Sequence, residues 1–283
     1  MLIFKSIDDL QAYIKPFAQD GKKVGFVPTM GALHKGHISL IKASQKENAV
    51  TVCSIFVNPT QFNNPSDLEK YPRTTDKDIE KLHNNCCDVL FLPEVTEMYP
   101  DGQALEKKYD LGFTETVLEG ASRPGHFQGV AQIVDKLLEI VKPDNLYMGQ
   151  KDYQQIAIIH RLLELKQSHI RLITVPTMRE QDGLAMSSRN KRLTEPQRNV
   201  AGVIYQCLVS IQSKQGFQPF SVIKKECEEI LSKKGFKVDY VALADARTLE
   251  PLSDYATDKQ MVALIAAFIG EVRLIDNLVL ENN

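Results

Sequence analysis

Hydrophobic and polar positions change period repeatedly along the first 175 residues, and each change marks an element. After a short first strand, Ser6 can cap a helix to about Phe17, with Ile7, Leu10, Ile14 and Phe17 on one face. Val24-Gly25-Phe26-Val27 is a short apolar run, and after His37 the apolar spacing becomes helical to about Lys46. Residues 49–57 are almost continuously apolar and rich in β-branched side chains, the pattern of a strand buried on both faces of a parallel sheet. A helix over 75–85, a strand over 88–92 and irregular chain over 93–102 follow, then an expected extended stretch at 111–118. Val130, Ile133, Val134, Leu137, Leu138 and Val141 lie at three- and four-residue spacing on a helix that Pro143 stops. Strands at 145–148 and 171–175 flank a helix carrying Ile156, Ile159, Leu162, Leu163 and Leu165. Alternation of this kind predicts an α/β domain over 1–175. From Pro176 the texture is polar and aperiodic to Asn190; helical patterns over 196–213 and 221–233 and apolar runs over 238–243 and 261–269 then predict a small α+β domain over 176–283.

The polar loops between these elements hold the candidate chemistry, because ligands of open α/β sheets lie beyond the carboxyl ends of the strands. Pro28-Thr29-Met30-Gly31-Ala32-Leu33-His34-Lys35-Gly36-His37 joins a strand to a helix and carries two glycines and two histidines. Gly31 and Gly36 permit close backbone approach, and a helix opening near His37 turns N–H groups and its positive dipole end toward a bound anion. Two imidazoles beside a phosphate can donate hydrogen bonds to oxygens that gain negative charge during attack on phosphorus. No third His, Cys or carboxylate stands at ligand spacing, so no protein metal site is expected here. Further loops hold Asn58 to Gln61, Gly149 to Gln155, and Met186 to Arg189. Arg189 can fork onto phosphate oxygens, Ser187 and Ser188 can donate to others, and Lys151 adds a compact positive charge. Read singly, Ser187-Ser188-Arg189 is a solvated loop and Lys151 a surface lysine.

Composition narrows the classes without choosing among them. The formal charge of −2 and scattered Lys and Arg disfavour a nucleic-acid partner. The longest apolar run, 261–269, is too short to span a bilayer, and residues 1–8 lack a basic leader segment, so a cytoplasmic enzyme without membrane contact is expected. Five cysteines with no C-x-x-C spacing fit reduced thiols, and the adjacent Cys86-Cys87 fits packing rather than redox chemistry.

Six ordered motifs resemble the pantoate–β-alanine ligase (pantothenate synthetase) family: residues 28–37, 56–62, 71–74, 123–127, 149–155 and 182–190, with Arg273-Leu274-Ile275-Asp276-Asn277 near the C-terminus. This resemblance spans the chain and implies an H-x-G-H nucleotidyltransferase with a Rossmann-type N-terminal domain, a smaller C-terminal lid and a homodimeric state. It implies ATP-dependent condensation of pantoate with β-alanine through a pantoyl adenylate, with Mg²⁺ accompanying ATP. ATP is expected on Met30, Gly31, Ala32, Leu33, His34, Lys35, Gly36, His37, Gly149, Gln150, Lys151, Asp152, Met178, Met186, Ser187, Ser188 and Arg189. The acid and amine substrates are expected on Asn58, Gln61, Arg123 and Gln155, and catalysis on His34, His37, Lys151, Ser187 and Arg189, with His37 as proton donor. Asn63-Asn64-Pro65 departs from the Gly/Pro pattern expected after Gln-Phe. An adenylyltransferase with another acceptor and a non-catalytic nucleotide-binding module are the competing readings.

Overall fold

The computed structural model describes residues 1–62, 68–102 and 107–281. The Asn63-Asn64-Pro65 departure lies outside the described residues. The chain divides into two compact units, Met1–Gly149 with Ile158–Pro176, and Gln150–Ala157 with Thr177–Asn283.

The first unit is built on a six-stranded, wholly parallel sheet of β1 (Leu2–Phe4), β2 (Val24–Thr29), β3 (Val50–Ile55), β4 (Val89–Phe91), β5 (Asn145–Gly149) and β6 (Arg171–Val175). Its order is β1-β4-β3-β2-β5-β6. From β2 the chain winds outward through β3 and β4 in one direction and through β5 and β6 in the other. The reversal leaves a crevice at the carboxyl ends of β2 and β5. Every residue of β3 is buried, as the almost continuous apolar run predicts. The helices are α1 (Ile7–Gln19), α2 (Lys35–Gln45), α3 (Thr75–Asn84), α4 (His126–Val141) and α5 (Tyr153–Leu165), the last shared between the units. Fourteen of the sixteen residues of α4 are buried, which makes it the central helix of this unit.

Two local expectations are corrected. Residues 111–118 are not extended: a 3-10 turn covers Gly112–Glu115 and a short helix Glu119–Ser122. Thr114 and Thr116 donate their hydroxyls to the carbonyls of Leu111 and Phe113, at 2.7 and 2.8 Å, and these local bonds compete with extended chain. Within 93–102, Val95–Met98 forms one helical turn.

In the second unit β7 (Phe236–Asp245), β8 (Pro251–Leu252), β9 (Met261–Ile269) and β10 (Val272–Leu280) form an antiparallel sheet in the order β10-β9-β7-β8. The expected helix over 196–213 is two, α6 (Glu195–Ala201) and α7 (Val203–Ser213), separated at Gly202; α8 (Phe220–Lys233) follows. A Cβ on Gly202 would stand 2.6 Å from the Asp182 carbonyl oxygen, so the break and the glycine both serve a close main-chain contact. Ile204, Cys207, Leu208, Ile223, Cys227 and Leu231 pack with the Ala263, Ile265, Ala267 face of β9. All five cysteines are free thiols. No helix among the described residues is long and apolar enough to cross a membrane.

Candidate active site

The turn leaving β2 is built around main-chain N–H groups. Thr29, itself buried, donates its hydroxyl to the Ser54 carbonyl at 2.8 Å and accepts from the Gly31 amide at 3.2 Å. Gly31 and Ala32 then take φ of +80° and +48°. For alanine the left-handed region costs about 1–2 kcal/mol, so something must hold it there. The holder is Asp78 on α3, whose two carboxylate oxygens accept from the Ala32 and Leu33 amides, each at 2.8 Å, and from the Thr74 hydroxyl at 3.1 Å. One helical turn on, Lys81 Nζ donates to the Leu33 carbonyl at 2.7 Å. Ala32 and Leu33 are fully buried, so these contacts lie away from water.

His34 is the N-cap of α2, which begins at Lys35, two residues before the expected start near His37. Its Nδ1 accepts from the Gly36 amide at 3.2 Å, and Nδ1 of His37 accepts from the His34 amide at 3.3 Å. The N-cap amide of His34 and the Gly36 amide of α2 are thus taken by the two imidazoles themselves, where open N–H groups were expected. A ring nitrogen that accepts carries no proton, so each neutral ring bears its proton on Nε2. The rings lie with centroids 4.0 Å apart and planes tilted by 39°. Together they form a paired donor set at the head of a helix dipole.

Beyond β3, Asn58 is almost fully buried. Its Oδ1 accepts from the Tyr99 hydroxyl at 2.8 Å and the Thr60 hydroxyl at 3.2 Å, while Nδ2 donates to the Gly129 carbonyl at 3.3 Å and to Gln61 Oε1 at 3.4 Å. This network orients Gln61, whose Nε2 lies 2.9 Å from Met30 Sδ. The expected acid-binding amide and the expected ATP-binding loop are therefore in contact. Gly129 admits the 59–61 turn against α4, since a Cβ there would stand 2.5 Å from the Thr60 carbonyl oxygen. Arg123 Nη1 lies 3.1 Å from His126 Nε2, and His126 Nδ1 lies 2.8 Å from the Gln61 carbonyl oxygen. A guanidinium only donates, so His126 accepts at Nε2 and donates to Gln61 from Nδ1. Arg123 thus bears on Gln61 through His126.

The second unit holds the other expected loops by the opposite chemistry. Arg179 Nη1 and Nη2 donate to the two Asp276 oxygens at 2.5 and 3.1 Å, to the Gly183 carbonyl at 3.1 Å and to the Asn277 carbonyl at 3.3 Å, with the guanidinium 3.9 Å from the Tyr205 ring centre. Burial pushes the Asp276 carboxyl above its ordinary value, and Arg179 pulls it back in part. Asn277 Nδ2 then donates to the Gln150 and Lys151 carbonyls at 3.0 and 2.8 Å. Two adjacent residues of β10 therefore tie the 150–151 turn to a hairpin in which the Met186 amide donates to the Met178 carbonyl at 2.9 Å. Ser187 caps the following turn, its hydroxyl accepting from the Arg189 amide at 3.3 Å, and Ser188 is buried. Lys151 Nζ lies 3.4 Å from Asp152 Oδ1, and Gln155 is half-buried on the first turn of α5. Asp78, His126 and the Arg179–Asp276 pair carry these arrangements, yet the sequence pattern singles out none of them for that role. Asp78 reads as one more charge on an amphipathic helix, and a buried carboxylate there has no local signature.

The family model for pantoate-beta-alanine ligase matches residues 2–279. A pantothenate synthetase of Bacteroides thetaiotaomicron is 46% identical over 279 residues, covering 98% of both chains. One from Pseudomonas fluorescens is 48% identical, over 97% of this chain and 96% of its own. The crystal structure of pantothenate synthetase from Thermus thermophilus superposes with a TM-score of 0.91 at 39% identity, covering 98% of this chain and 99% of the other. The chain belongs to the pantoate–β-alanine ligase family. It is accordingly an enzyme, a carbon–nitrogen ligase joining pantoate and β-alanine, on the Rossmann-type sheet expected. A Francisella tularensis pantoate-beta-alanine ligase, 40% identical with a TM-score of 0.81 over 99% of this chain and 97% of its own, was crystallised with beta-gamma ATP and beta-alanine. Among the described residues no group of three or more His, Cys, Asp and Glu is placed to hold a metal ion.

Proposed function

We propose that the enzyme works in two steps on Mg·ATP, pantoate and β-alanine. A pantoate carboxylate oxygen attacks the α-phosphorus, the bond to the bridging oxygen breaks, and pyrophosphate leaves; the β-alanine amine then attacks the acyl carbon, AMP leaves, and the amine sheds its proton. The observation that carries this reading is the pair of imidazoles whose Nδ1 atoms are tied to the main chain, leaving Nε2–H as the donor of each ring. Such donors oppose the charge that grows on phosphate oxygens, and their fixed geometry requires no reorganisation during reaction. His37 delivers the proton-bearing contact to the leaving pyrophosphate, with His34 beside it.

ATP in this reading lies along Met30 to His37, Gly149 to Asp152, Met178 and Met186 to Arg189. Lys151, Ser187 and Arg189 offset the triphosphate charge. Gln61 and Gln155 hold pantoate without adding a repulsive carboxylate, with Asn58 and Arg123 setting Gln61. Magnesium travels with the triphosphate, bound by phosphate oxygens and water rather than by a carboxylate cage. The acyl adenylate hydrolyses in water, so we assign residues 176–283 as the lid domain and residues 1–175 as the nucleotide- and pantoate-binding domain. A cytoplasmic homodimer completes the reading; free thiols suit a reducing compartment.

ATP–pyrophosphate isotope exchange with Mg²⁺ and pantoate, β-alanine omitted, tests the first step. Exchange that depends on pantoate is expected, and His37→Ala should lower it by about a hundredfold or more. Exchange without pantoate, or full exchange in His37→Ala, overturns the assignment.

A further inference from the structure

We propose that Asp78 and Lys81 form a clamp whose task is to position His34 and His37 for adenylate formation, an inference that rests on the roles given to those imidazoles above. Asp78 is only 1% exposed and Ala32 and Leu33 are 0% and 1% exposed, so this carboxylate meets the loop where water cannot. Amides buried there need a protein acceptor. Two consecutive N–H groups, turned the same way by the positive φ of Gly31 and Ala32, meet the two oxygens of one carboxylate. Lys81, three residues on and so on the same face of α3, takes the carbonyl that follows. The peptide groups on both sides of Leu33 are then fixed by side chains of a single helix.

The next residue is His34, and only its own torsions separate the clamp from the first imidazole. The main-chain amide of His34 is in turn the donor that holds His37 Nδ1, so the second ring inherits the same constraint. Buried as it is, Asp78 touches no substrate and acts through the loop as a positioning residue. A carboxylate of purely structural importance would instead lower stability and leave turnover by the folded protein intact.

The test is Asp78→Asn, which keeps the shape but can accept from only one of the two amides and turns donors toward the other. Folded protein, checked by circular dichroism and thermal midpoint, is assayed for pyrophosphate exchange and overall ligation. A displacement near 1 Å at the rings should lower kcat about a hundredfold, with KM for ATP, pantoate and β-alanine within about threefold of the parent. In a His37→Ala background the same substitution should add less than its full loss, because only His34 of the clamped pair remains to be displaced. An unchanged kcat in folded Asp78→Asn, or losses that multiply in the double variant, overturns the clamp. Should Asp78→Asn fail to fold, Lys81→Met decides. It removes one hydrogen bond and keeps the apolar stem, so about a tenfold fall in kcat with Lys81→Arg partly restored supports the proposal, and no fall overturns it. Full exchange in His37→Ala removes its foundation. Loss in His37→Ala with none in Asp78→Asn defeats the clamp alone.

Discussion

The β2–α2 turn of the first unit and the 178–186 hairpin of the second are held in place by opposite means. In the turn, the main chain offers three N–H groups to acceptors, Thr29 Oγ1 and the Asp78 carboxylate, and Lys81 takes the one carbonyl that follows. In the hairpin the main chain offers the Gly183 carbonyl, beside the Asn277 carbonyl of β10, and the holder is the Arg179 guanidinium, itself seated on Asp276. Each anchor matches the polarity its backbone conformation exposes. Left-handed residues bring consecutive amides to one side of a turn and call for a carboxylate, whereas a hairpin laid along a strand presents carbonyls and calls for a donor. The cost differs too. Asp78 bonds neutral groups, while Arg179 and Asp276 must be desolvated together, and burial raising the Asp276 carboxyl records that cost.

The comparison breaks most readily at Arg179→Met. Asp276 is then buried without its cation, and a loss of about 3–5 kcal/mol is expected in urea unfolding. Adding Asp276→Asn should recover much of it. The sign with pH follows from a raised carboxyl: the native state holds more protons than the unfolded chain above the ordinary carboxylate range. The Asp276 contribution to stability therefore grows as pH falls from 7 toward 4, and it should do so more steeply in Arg179→Met. A loss below about 1 kcal/mol would mean that the pair is dispensable to this unit.

Glycine substitutions sharpen the contrast at smaller size. Gly31→Ala and Gly183→Ala both face positive φ, at +80° and +88°, a cost of about 1–2 kcal/mol each. Their new Cβ atoms meet different neighbours, Ile55 Cγ2 at 3.1 Å and Tyr205 Cδ1 at 2.3 Å. Gly183→Ala should therefore lose roughly 1–3 kcal/mol more by displacing the ring that stacks on Arg179. Equal thermal shifts in the two variants would defeat that account.

Smallest of all is the exposed end of the hairpin, where Asp182 bonds Arg198 and the guanidinium holds its carboxyl below the ordinary value. Both groups are about a third exposed, so after solvent screening Arg198→Ala should cost only about 0.5 kcal/mol at neutral pH. A lowered carboxyl stabilises above its unfolded pKa and loses that contribution as pH drops through the folded one. The difference between parent and variant should accordingly persist above the ordinary carboxylate range and close as pH falls below it. Chemical unfolding across that range checks it.

Much of this was legible before any coordinates. Period changes located the strands of the parallel sheet, because a strand buried on both faces is apolar over most of its length, as residues 50–55 are but for Thr51 and Ser54. The loops at 28–37, 58–61, 149–155 and 186–189 stood out because polar residues and glycines follow apolar runs with no packing role to explain them. Residues 111–118 misled because alternating apolar side chains look extended even where threonine hydroxyls bend the chain back on itself. The helix start two residues early follows from the local cap of His34 on Gly36, whereas the break at Gly202 is set by its contact with Asp182 outside the helix.

By itself the sequence determined the elements, the parallel class of the first sheet and the side chains able to meet a triphosphate, since periodicity and residue chemistry are local properties. Only the tertiary structure decided which acceptor each buried amide finds. Asp78 reaches residues 32 and 33 across 46 and 45 positions of chain, Arg179 reaches Asp276 across 97, and Asn277 reaches Lys151 across 126. Those pairings follow from the register in which strands and helices pack and from the need to satisfy polar groups that packing buries. Neither condition leaves a mark at the spacing over which a sequence can be read.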